Sequence, residues 1–292
     1  MPAARKISRL RIVLEMIKFE HTLFALPFAL MGMMLAAEGW PSGRIVFWIV
    51  IAMVGARSAA MGWNRLVDRR IDAANPRTQS RALPAGLVSP AFVAGFVIAS
   101  LALLVFAAWR LNPLCLALSP VAIVILLGYS YTKRFTWMAH LALGLALAGA
   151  PLGAWIAVTG RFAPTPFVLA GIVLTWVAGF DVLYALQDES FDRASGLSSI
   201  PARFGTRAAV AISGALHLAT LALLGALPST YAPGLGVPYW IGLAGCALLL
   251  VYQHAIVRPG DLSRLNAAFF TANGLLALWL LAATATDLLL RA

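Results

Sequence analysis

The sequence has little charge and few acidic residues. Of its 292 residues 11% are charged, and only 11 are Asp or Glu against 22 Lys and Arg. Soluble proteins carry about 25% charged residues, whereas 61% of this chain is hydrophobic. Apolar runs recur along the whole length with short polar breaks, which excludes soluble enzymes, nucleic-acid-binding domains and disordered tails. The composition therefore predicts a polytopic membrane protein.

Cysteine and histidine are also scarce. The two cysteines, Cys115 and Cys246, fall within apolar runs, where a free thiol behaves as a small apolar side chain. The four histidines are scattered without metal-ligand spacing: His21, His140, His217 and His254. We therefore expect no disulfide and no histidine metal site, and interpret the histidines as packed or helix-end residues.

The apolar runs predict an all-α membrane protein. A spanning helix takes about 20 apolar residues, and nine such runs fit residues 1–292 as a single transmembrane domain. We expect nine transmembrane helices in one bundle around a polar pocket. The predicted spans are 19–37, 45–62, 88–108, 114–131, 137–158, 165–187, 208–227, 237–257 and 265–287.

Lys and Arg are divided unequally between the two sides of these spans. Seventeen lie on the side of the N-terminus, four lie on the other side, and Arg57 lies inside the second span. Because positive charge is retained on the cytoplasmic face, the N-terminus and the polar pocket are predicted to be cytoplasmic. Topology and attraction to anionic membrane lipid then explain the net charge of +11. We expect no nucleic-acid partner and infer no protein partner.

The few acids are concentrated in two clusters. The first, in NRLVDRRID, consists of Asn64, Asp68 and Asp72. The second, in DVLYALQDESFD, consists of Asp181, Tyr184, Asp188 and Asp192. Steps of four and seven residues place each cluster on one helical face, at the predicted cytoplasmic ends of the second and sixth spans. Like charges on one face repel each other, so both clusters together indicate a bound cation.

Mg²⁺ fits these clusters, because it prefers oxygen ligands and is held by one or two carboxylates together with substrate phosphates. The predicted metal ligands are Asn64, Asp68, Asp72, Asp188 and Asp192. Basic residues close to the acids favour a diphosphate ligand, since arginine binds phosphate in a bidentate manner. The predicted diphosphate-binding residues are Arg77, Arg81, Lys133 and Arg134. The alternative is that the acids pair with neighbouring arginines, and that the basic residues anchor the protein at the membrane.

These motifs resemble the UbiA superfamily of intramembrane prenyltransferases. The resemblance rests on NxxxDxxxD at 64–72, RTxxR at 77–81, YxYTKR at 129–134 and DxxYxxxDxxxD at 181–192, and it covers the whole chain. The runs IKFEHTLFALPFAL and LNAAFFTANG are most similar to 4-hydroxybenzoate polyprenyltransferases and to the MqnP-type enzymes of the futalosine menaquinone pathway.

The resemblance implies Mg²⁺-dependent transfer of a polyprenyl group from polyprenyl diphosphate to an aromatic acid in quinone biosynthesis, with release of diphosphate. The implied acceptor is 4-hydroxybenzoate or, alternatively, 1,4-dihydroxy-6-naphthoate. Both acidic clusters become the catalytic residues, and Tyr184 could shield a carbocation with the face of its ring, or else serve as an interfacial aromatic. The expected location is a bacterial inner membrane, with the active site facing the cytoplasm.

Arg57 bears on the choice of acceptor. An arginine inside a span is costly and usually faces a cavity with a partner. Arg57 precedes Asn64 by seven residues, which places it about 10 Å deeper on the same face. We predict that Arg57 binds the carboxylate of the acceptor, and the alternative is a pair with Asp181. Lys18 could assist in acceptor binding, or its side chain could anchor the first span at the interface.

An ion-coupled transporter is the alternative from another class, because carboxylates in or beside a membrane also mark ion pathways. Transporter sites lie near the midplane of the bilayer. With Glu189 of the second motif, the two clusters contain six acids, and five of the six lie at the predicted boundary, beside the basic motifs, as a diphosphate site requires.

Overall fold

The computed structural model describes residues 9–17, 22–257 and 262–291, and this part of the chain is helical without strands. The helices are α1 (Arg9–Met16), α2 (Thr22–Ala37), α3 (Gly43–Ala74), α4 (Pro90–Leu111), α5 (Pro113–Thr132), α6 (Ala139–Thr159), α7 (Pro164–Tyr184), α8 (Glu189–Ala194), α9 (Ile200–Thr230), α10 (Val237–Ile256) and α11 (Asn273–Leu289). A 3₁₀ turn (Ala185–Asp188) joins α7 to α8, and a π-helical turn (Ala267–Ala272) precedes α11.

Within the described residues, eight helical segments are long and apolar enough to cross a membrane. They are α3, α4, α5, α6, α7 with α8, α9, α10, and α11 with its π-helical turn. Helix α2 is apolar but has 16 residues, and residues 18–21 before it lie outside the described part. The all-helical membrane fold is confirmed, whereas the ninth span, the cytoplasmic N-terminus and the single domain 1–292 stay predictions.

Two helices differ from the predicted spans in ways that shape the site. Helix α3 continues to Ala74, twelve residues beyond the predicted end of the second span, because hydropathy marks the apolar segment and not the end of the helix. The sixth span was predicted to run to 187, but α7 ends at Tyr184. The 3₁₀ turn that follows carries Asp188, so the second acidic cluster is not on one continuous α-helix.

Helix α7 lies at the centre of the bundle, packed between α6 and α9. Its buried residues include Leu169, Ile172 and Trp176. A Cβ atom on Gly144 of α6 would lie 2.4 Å from the carbonyl oxygen of Leu174 on α7. Glycine therefore allows the two backbones to approach closely, as small residues do between membrane helices.

Candidate active site

A cavity of about 750 Å³ lies between α2, α3, α5, α6 and α7. Polar residues from both acidic clusters line one part of it, and apolar residues such as Val50, Leu118 and Leu143 line the rest. The predicted site residues that line it are Arg57, Asn64, Asp68, Asp72, Arg77, Arg81, Lys133, Asp181, Tyr184, Asp188 and Asp192. The structure thus brings the two clusters, 109 or more residues apart in the chain, to one cavity.

Asp68 is the most heavily contacted carboxylate of the first cluster. It is 2% exposed, and Lys133 Nζ lies 2.6 Å from its Oδ2. Arg134 Nη2 donates to Oδ1 at 2.9 Å, and Asn64 Nδ2 donates to Oδ2 at 3.1 Å. Two cations and an amide thus neutralise and orient this buried carboxylate. Arg134 reaches the cluster from outside, since it is absent from the cavity lining.

Asp72, one turn further along α3, is 4% exposed. Arg81 Nη1 donates to its Oδ1 at 2.7 Å. Its Oδ2 is buried and accepts no hydrogen bond from the described residues, although Arg65 Nη1 lies 3.9 Å away. Arg65 is itself buried and donates to Asn64 Oδ1 at 3.3 Å. One oxygen of Asp72 therefore has unused capacity as a ligand.

Asp188 of the second cluster joins the two halves of the site. Arg77 binds it with two hydrogen bonds, one of them from Nε to Oδ1 at 2.9 Å. Asn75, which ends α3, donates from Nδ2 to the same Oδ1 at 3.0 Å. Burial lowers the pKa of the Arg77 guanidinium, but the hydrogen bonds and charge of Asp188 outweigh it and raise that pKa above its ordinary value. Arg77 is therefore a fixed positive charge at this site.

The oxygen-rich set of carboxylates and Asn64 suits a hard cation such as Mg²⁺ in its chemistry. The buried, unbonded Oδ2 of Asp72 is a specific point of fit. In the described part of the chain, no group of three or more acidic, histidine or cysteine side chains is close enough to bind a metal by itself. A metal here would draw on substrate phosphates as well, as Mg²⁺ commonly does.

Tyr184 lies where the two clusters face each other. The guanidinium of Arg77 sits 5.7 Å from the centre of the Tyr184 ring, and Phe269 of the π-helical turn stacks on that ring at 4.0 Å between centroids. The tyrosine ring is thus held flat between a cation and an aromatic neighbour. Asp192 lines the same cavity and bonds Ser199, next to the start of α9.

Asp181 contacts His140, one of the histidines that the sequence predicts to be packed or at a helix end; His140 is buried and is the second residue of α6. His140 Nδ1 lies 2.7 Å from Asp181 Oδ2, and both residues line the cavity. Asp181, the alternative partner for Arg57, is paired with His140 in the structure. The sequence does contain a sign that His140 faces a neighbouring helix, because His140 precedes Gly144 by four residues and so shares its face on α6. The spacing does not reveal which helix that face contacts.

Of the two predicted acceptor-binding residues, Arg57 lies in the described part of the chain and Lys18 does not. Arg57 lies on α3, is half-buried and lines the cavity, close to apolar residues such as Met53 and Ala60 that line it too. Lys18 lies outside the described residues, and its role stays a prediction.

A helical membrane bundle that gathers carboxylates, arginines and a lysine beside apolar walls is suited to an intramembrane enzyme with a phosphate-bearing, apolar substrate. Residues 25–281 match the UbiA prenyltransferase family. The chain is also similar to proteins named 4-hydroxybenzoate octaprenyltransferase. The one from Vibrio cholerae serotype O1 is 36% identical over 84% of this chain and 85% of its own length. The one from Vibrio atlanticus is 34% identical over 86% and 88%.

The chain therefore belongs to the UbiA prenyltransferase family, and the transporter alternative falls with that membership. Among solved structures, the ligand-free UbiA homologue from Aeropyrum pernix K1 is 34% identical, with a TM-score of 0.83 over 92% of this chain and 98% of that one. A UbiA homologue from Archaeoglobus fulgidus bound to GPP and Mg²⁺ is 19% identical, with a TM-score of 0.71 over 94% and 99%. The second comparison is a likeness of fold.

Proposed function

We propose that this protein transfers a polyprenyl group from polyprenyl diphosphate to an aromatic carboxylic acid of the 4-hydroxybenzoate type, releases diphosphate and depends on Mg²⁺. One observation carries the proposal: both acidic clusters line one cavity, and each is bound to cations that phosphate could take over. The names of the relatives support the acceptor. The Archaeoglobus homologue bound to GPP and Mg²⁺ supports the donor and the metal.

The basic residues act as the diphosphate-binding set. Arg77 binds Asp188, Arg81 binds Asp72, and Lys133 and Arg134 bind Asp68. These ion pairs hold the cations beside the cavity. Arginine prefers bidentate contacts with phosphate, so on binding Arg77, Arg81 and Lys133, which line the cavity, exchange a carboxylate for a diphosphate oxygen. Arg134 lies outside that lining and would reach the diphosphate only from the rim of the cavity.

The exchange leaves the carboxylates free to act as ligands. Asn64, Asp68, Asp72, Asp188 and Asp192 would then hold Mg²⁺. When bound, Mg²⁺ acts as a Lewis acid that stabilises the charge developing on the departing diphosphate. Donors from Arg and Lys in a dry site stabilise the same charge. Tyr184 lines the cavity, and once Arg77 moves from its ring to the diphosphate, the face that Arg77 covered can shield the allylic cation.

Arg57 is the proposed anchor for the carboxylate of the acceptor. It lines the cavity seven residues before Asn64 on the same helix, and so lies about 10 Å from it along the axis. That separation leaves room for an aromatic ring between the carboxylate and the diphosphate. The apolar walls of the cavity suit the polyprenyl chain, which is as apolar as the surrounding lipid. A carboxylate is present in 1,4-dihydroxy-6-naphthoate as well, so Arg57 does not distinguish the two acceptors.

The proposed setting is a bacterial inner membrane. The nine apolar runs favour nine spans. With that number of spans, the seventeen Lys and Arg on the side of the N-terminus favour a cytoplasmic N-terminus and a site that faces the cytoplasm. The bacterial relatives are consistent with that location.

The test is a radiolabelled geranyl diphosphate assay on the purified protein with Mg²⁺. It offers 4-hydroxybenzoate and 1,4-dihydroxy-6-naphthoate in parallel, and a longer prenyl diphosphate as second donor. We expect a prenylated product from 4-hydroxybenzoate. Product from the naphthoate alone would move the enzyme to the menaquinone pathway, and product from neither acceptor with either donor would refute the proposed function.

A further inference from the structure

His140 and Asp181 form a hydrogen-bonded pair apart from the predicted metal ligands and diphosphate-binding residues. His140 is 4% exposed, and its Nδ1 lies 2.7 Å from Asp181 Oδ2. Both line the cavity. The close approach of α6 and α7 at Gly144 and Leu174 lies one to two helical turns away from the pair, so the packing of the two helices fixes the distance between the side chains.

The start of α9 holds the ring of His140 in one orientation. The backbone N–H of Ile200 donates to His140 Nε2 at 3.3 Å, so Nε2 is an acceptor and the ring proton lies on Nδ1. Nδ1 therefore donates to Asp181, which is the anionic partner. Both ring nitrogens of His140 are therefore engaged by the protein.

Asp181 retains one oxygen for a substrate. Among the described residues, His140 is the single hydrogen-bond partner of the Asp181 side chain, and it engages Oδ2. The side chain is 24% exposed in a cavity that the predicted substrate-binding residues line. Its Oδ1 is therefore available to a proton donor in that cavity.

The position of Asp181 along α7 matches the depth at which the new bond would form. Asp181 lies in the last turn of α7, which ends at Tyr184, whereas Asp188 lies on the 3₁₀ turn that follows, so Asp181 is the deeper of the two carboxylates in the bundle. A diphosphate at Asp188 and Arg77 would place the first prenyl carbon on the inner side of that pair. Tyr184 lies between the two depths on the same helix, and Phe180 and Val177 continue the lining as apolar walls.

Prenyl transfer to an aromatic ring requires a proton acceptor at this depth. The first prenyl carbon bonds to a ring carbon while its bond to the diphosphate oxygen breaks, and the ring then carries the positive charge. Loss of the proton from that same ring carbon returns its C–H electron pair to the ring and restores aromaticity. We infer that the Asp181 carboxylate receives this proton through Oδ1, and that His140 is the positioning residue that aims it. This inference rests on the proposed function.

The experiment compares 4-hydroxybenzoate carrying hydrogen or deuterium at the two ring carbons beside the hydroxyl, with geranyl diphosphate as donor. In the wild type, proton loss is fast, so we expect equal rates with both isotopes. Loss of the proton acceptor makes that step limiting. In Asp181→Asn we expect turnover to fall by about 100-fold or more, with deuterium slowing the remaining reaction.

Variants at His140 separate positioning from general structural support. His140→Leu removes the donor to Asp181, and we expect slower, deuterium-sensitive turnover with unchanged KM for both substrates. His140→Asn keeps an N–H near the position of Nδ1 and should restore much of the rate and abolish the sensitivity to deuterium. His217→Leu is the matched control, because His217 is 2% exposed and absent from the cavity lining. Its turnover should stay insensitive to deuterium.

Three results would overturn the inference. Deuterium-insensitive turnover in His140→Leu and in any active Asp181→Asn protein would assign the proton to another acceptor, such as the departing diphosphate. Equal deuterium sensitivity in His217→Leu would show a general effect of losing a buried imidazole. A wild type that prenylates neither isotopic form would refute the proposed function together with this inference, whereas the first two results leave the proposed function intact.

Discussion

Replacing Asp68 with asparagine tests the proposed metal and diphosphate site. Asp287 provides a matched control for this substitution. Both carboxylates are 2% exposed. Asp68 binds Lys133 and Arg134, whereas Asp287 of α11 binds Arg291 at 3.1 Å and the backbone N–H of Gly236 at 2.8 Å. Asp287 is absent from the residues that line the cavity.

The two substitutions should destabilise the bundle by similar amounts. The amide oxygen of Asp68→Asn can keep Lys133 and Asn64 and lose the bond from Arg134. That of Asp287→Asn can keep the bond from Gly236 and lose the ion pair with Arg291. A lost charge-assisted contact of this kind is worth about 2 kcal/mol. The cations concerned are 31% exposed for Lys133 and Arg134 and 34% exposed for Arg291. Water therefore offsets part of the cost. We expect the loss of unfolding free energy to be smaller than the roughly 3–5 kcal/mol typical of breaking a fully buried ion pair.

Activity should separate the two variants. Asp68→Asn should lower turnover by about 100-fold or more, because it removes a carboxylate from the site that stabilises the leaving diphosphate. Asp287→Asn should keep turnover near that of the wild type. Thermal unfolding in detergent and the prenylation assay, run on the same preparations, provide both readouts. Similar turnover in the two variants would refute the assignment of Asp68.

Three further outcomes follow from the proposed site. EDTA should abolish turnover and Mg²⁺ should restore it; turnover that persists in EDTA would contradict metal dependence. Arg77→Lys keeps the charge but loses bidentate binding. One lost charge-assisted contact of about 1.4 kcal/mol should raise the KM for prenyl diphosphate by about tenfold. An effect confined to the KM for the acceptor would reassign Arg77. Arg57→Lys should raise the KM for the aromatic acid with little change for the prenyl donor, and an unchanged acceptor KM would remove Arg57 from the acceptor site.

The first acidic cluster was predictable because its geometry is a property of one helix. Steps of four residues put Asn64, Asp68 and Asp72 on one face of any α-helix, and α3 includes all three. The end of the helix was not predictable from hydropathy, since the polar segment that carries the cluster continues the helix past the apolar run.

The partners of these acids depend on packing between helices. Arg77 and Asp188 are 111 residues apart, and Lys133 reaches Asp68 from the end of α5. Sequence spacing indicated a shared site but not these pairs. The 3₁₀ turn at Asp188 was also unforeseen, because a change of helical pitch leaves no mark in the spacing of acids.

The pair of His140 and Asp181 shows most clearly what sequence patterns cannot predict. The histidine has no acid near it in the sequence, so it was interpreted as a packed residue. Its role depends on the approach of α6 and α7 at Gly144 and on the N–H of Ile200 from a third helix. Three separate segments define its environment, and a pattern within one segment does not contain that information.

The most direct test of the account is an experimental structure of the protein with a non-hydrolysable geranyl thiodiphosphate and Mn²⁺ in place of Mg²⁺, with the metal located by anomalous scattering. We expect metal between Asp68 and Asp72 on α3 and Asp188 on the turn after α7. We also expect Arg77 to bind the diphosphate in place of Asp188. A diphosphate bound elsewhere, with Asp68 still paired to Lys133 and no metal between the clusters, would contradict it.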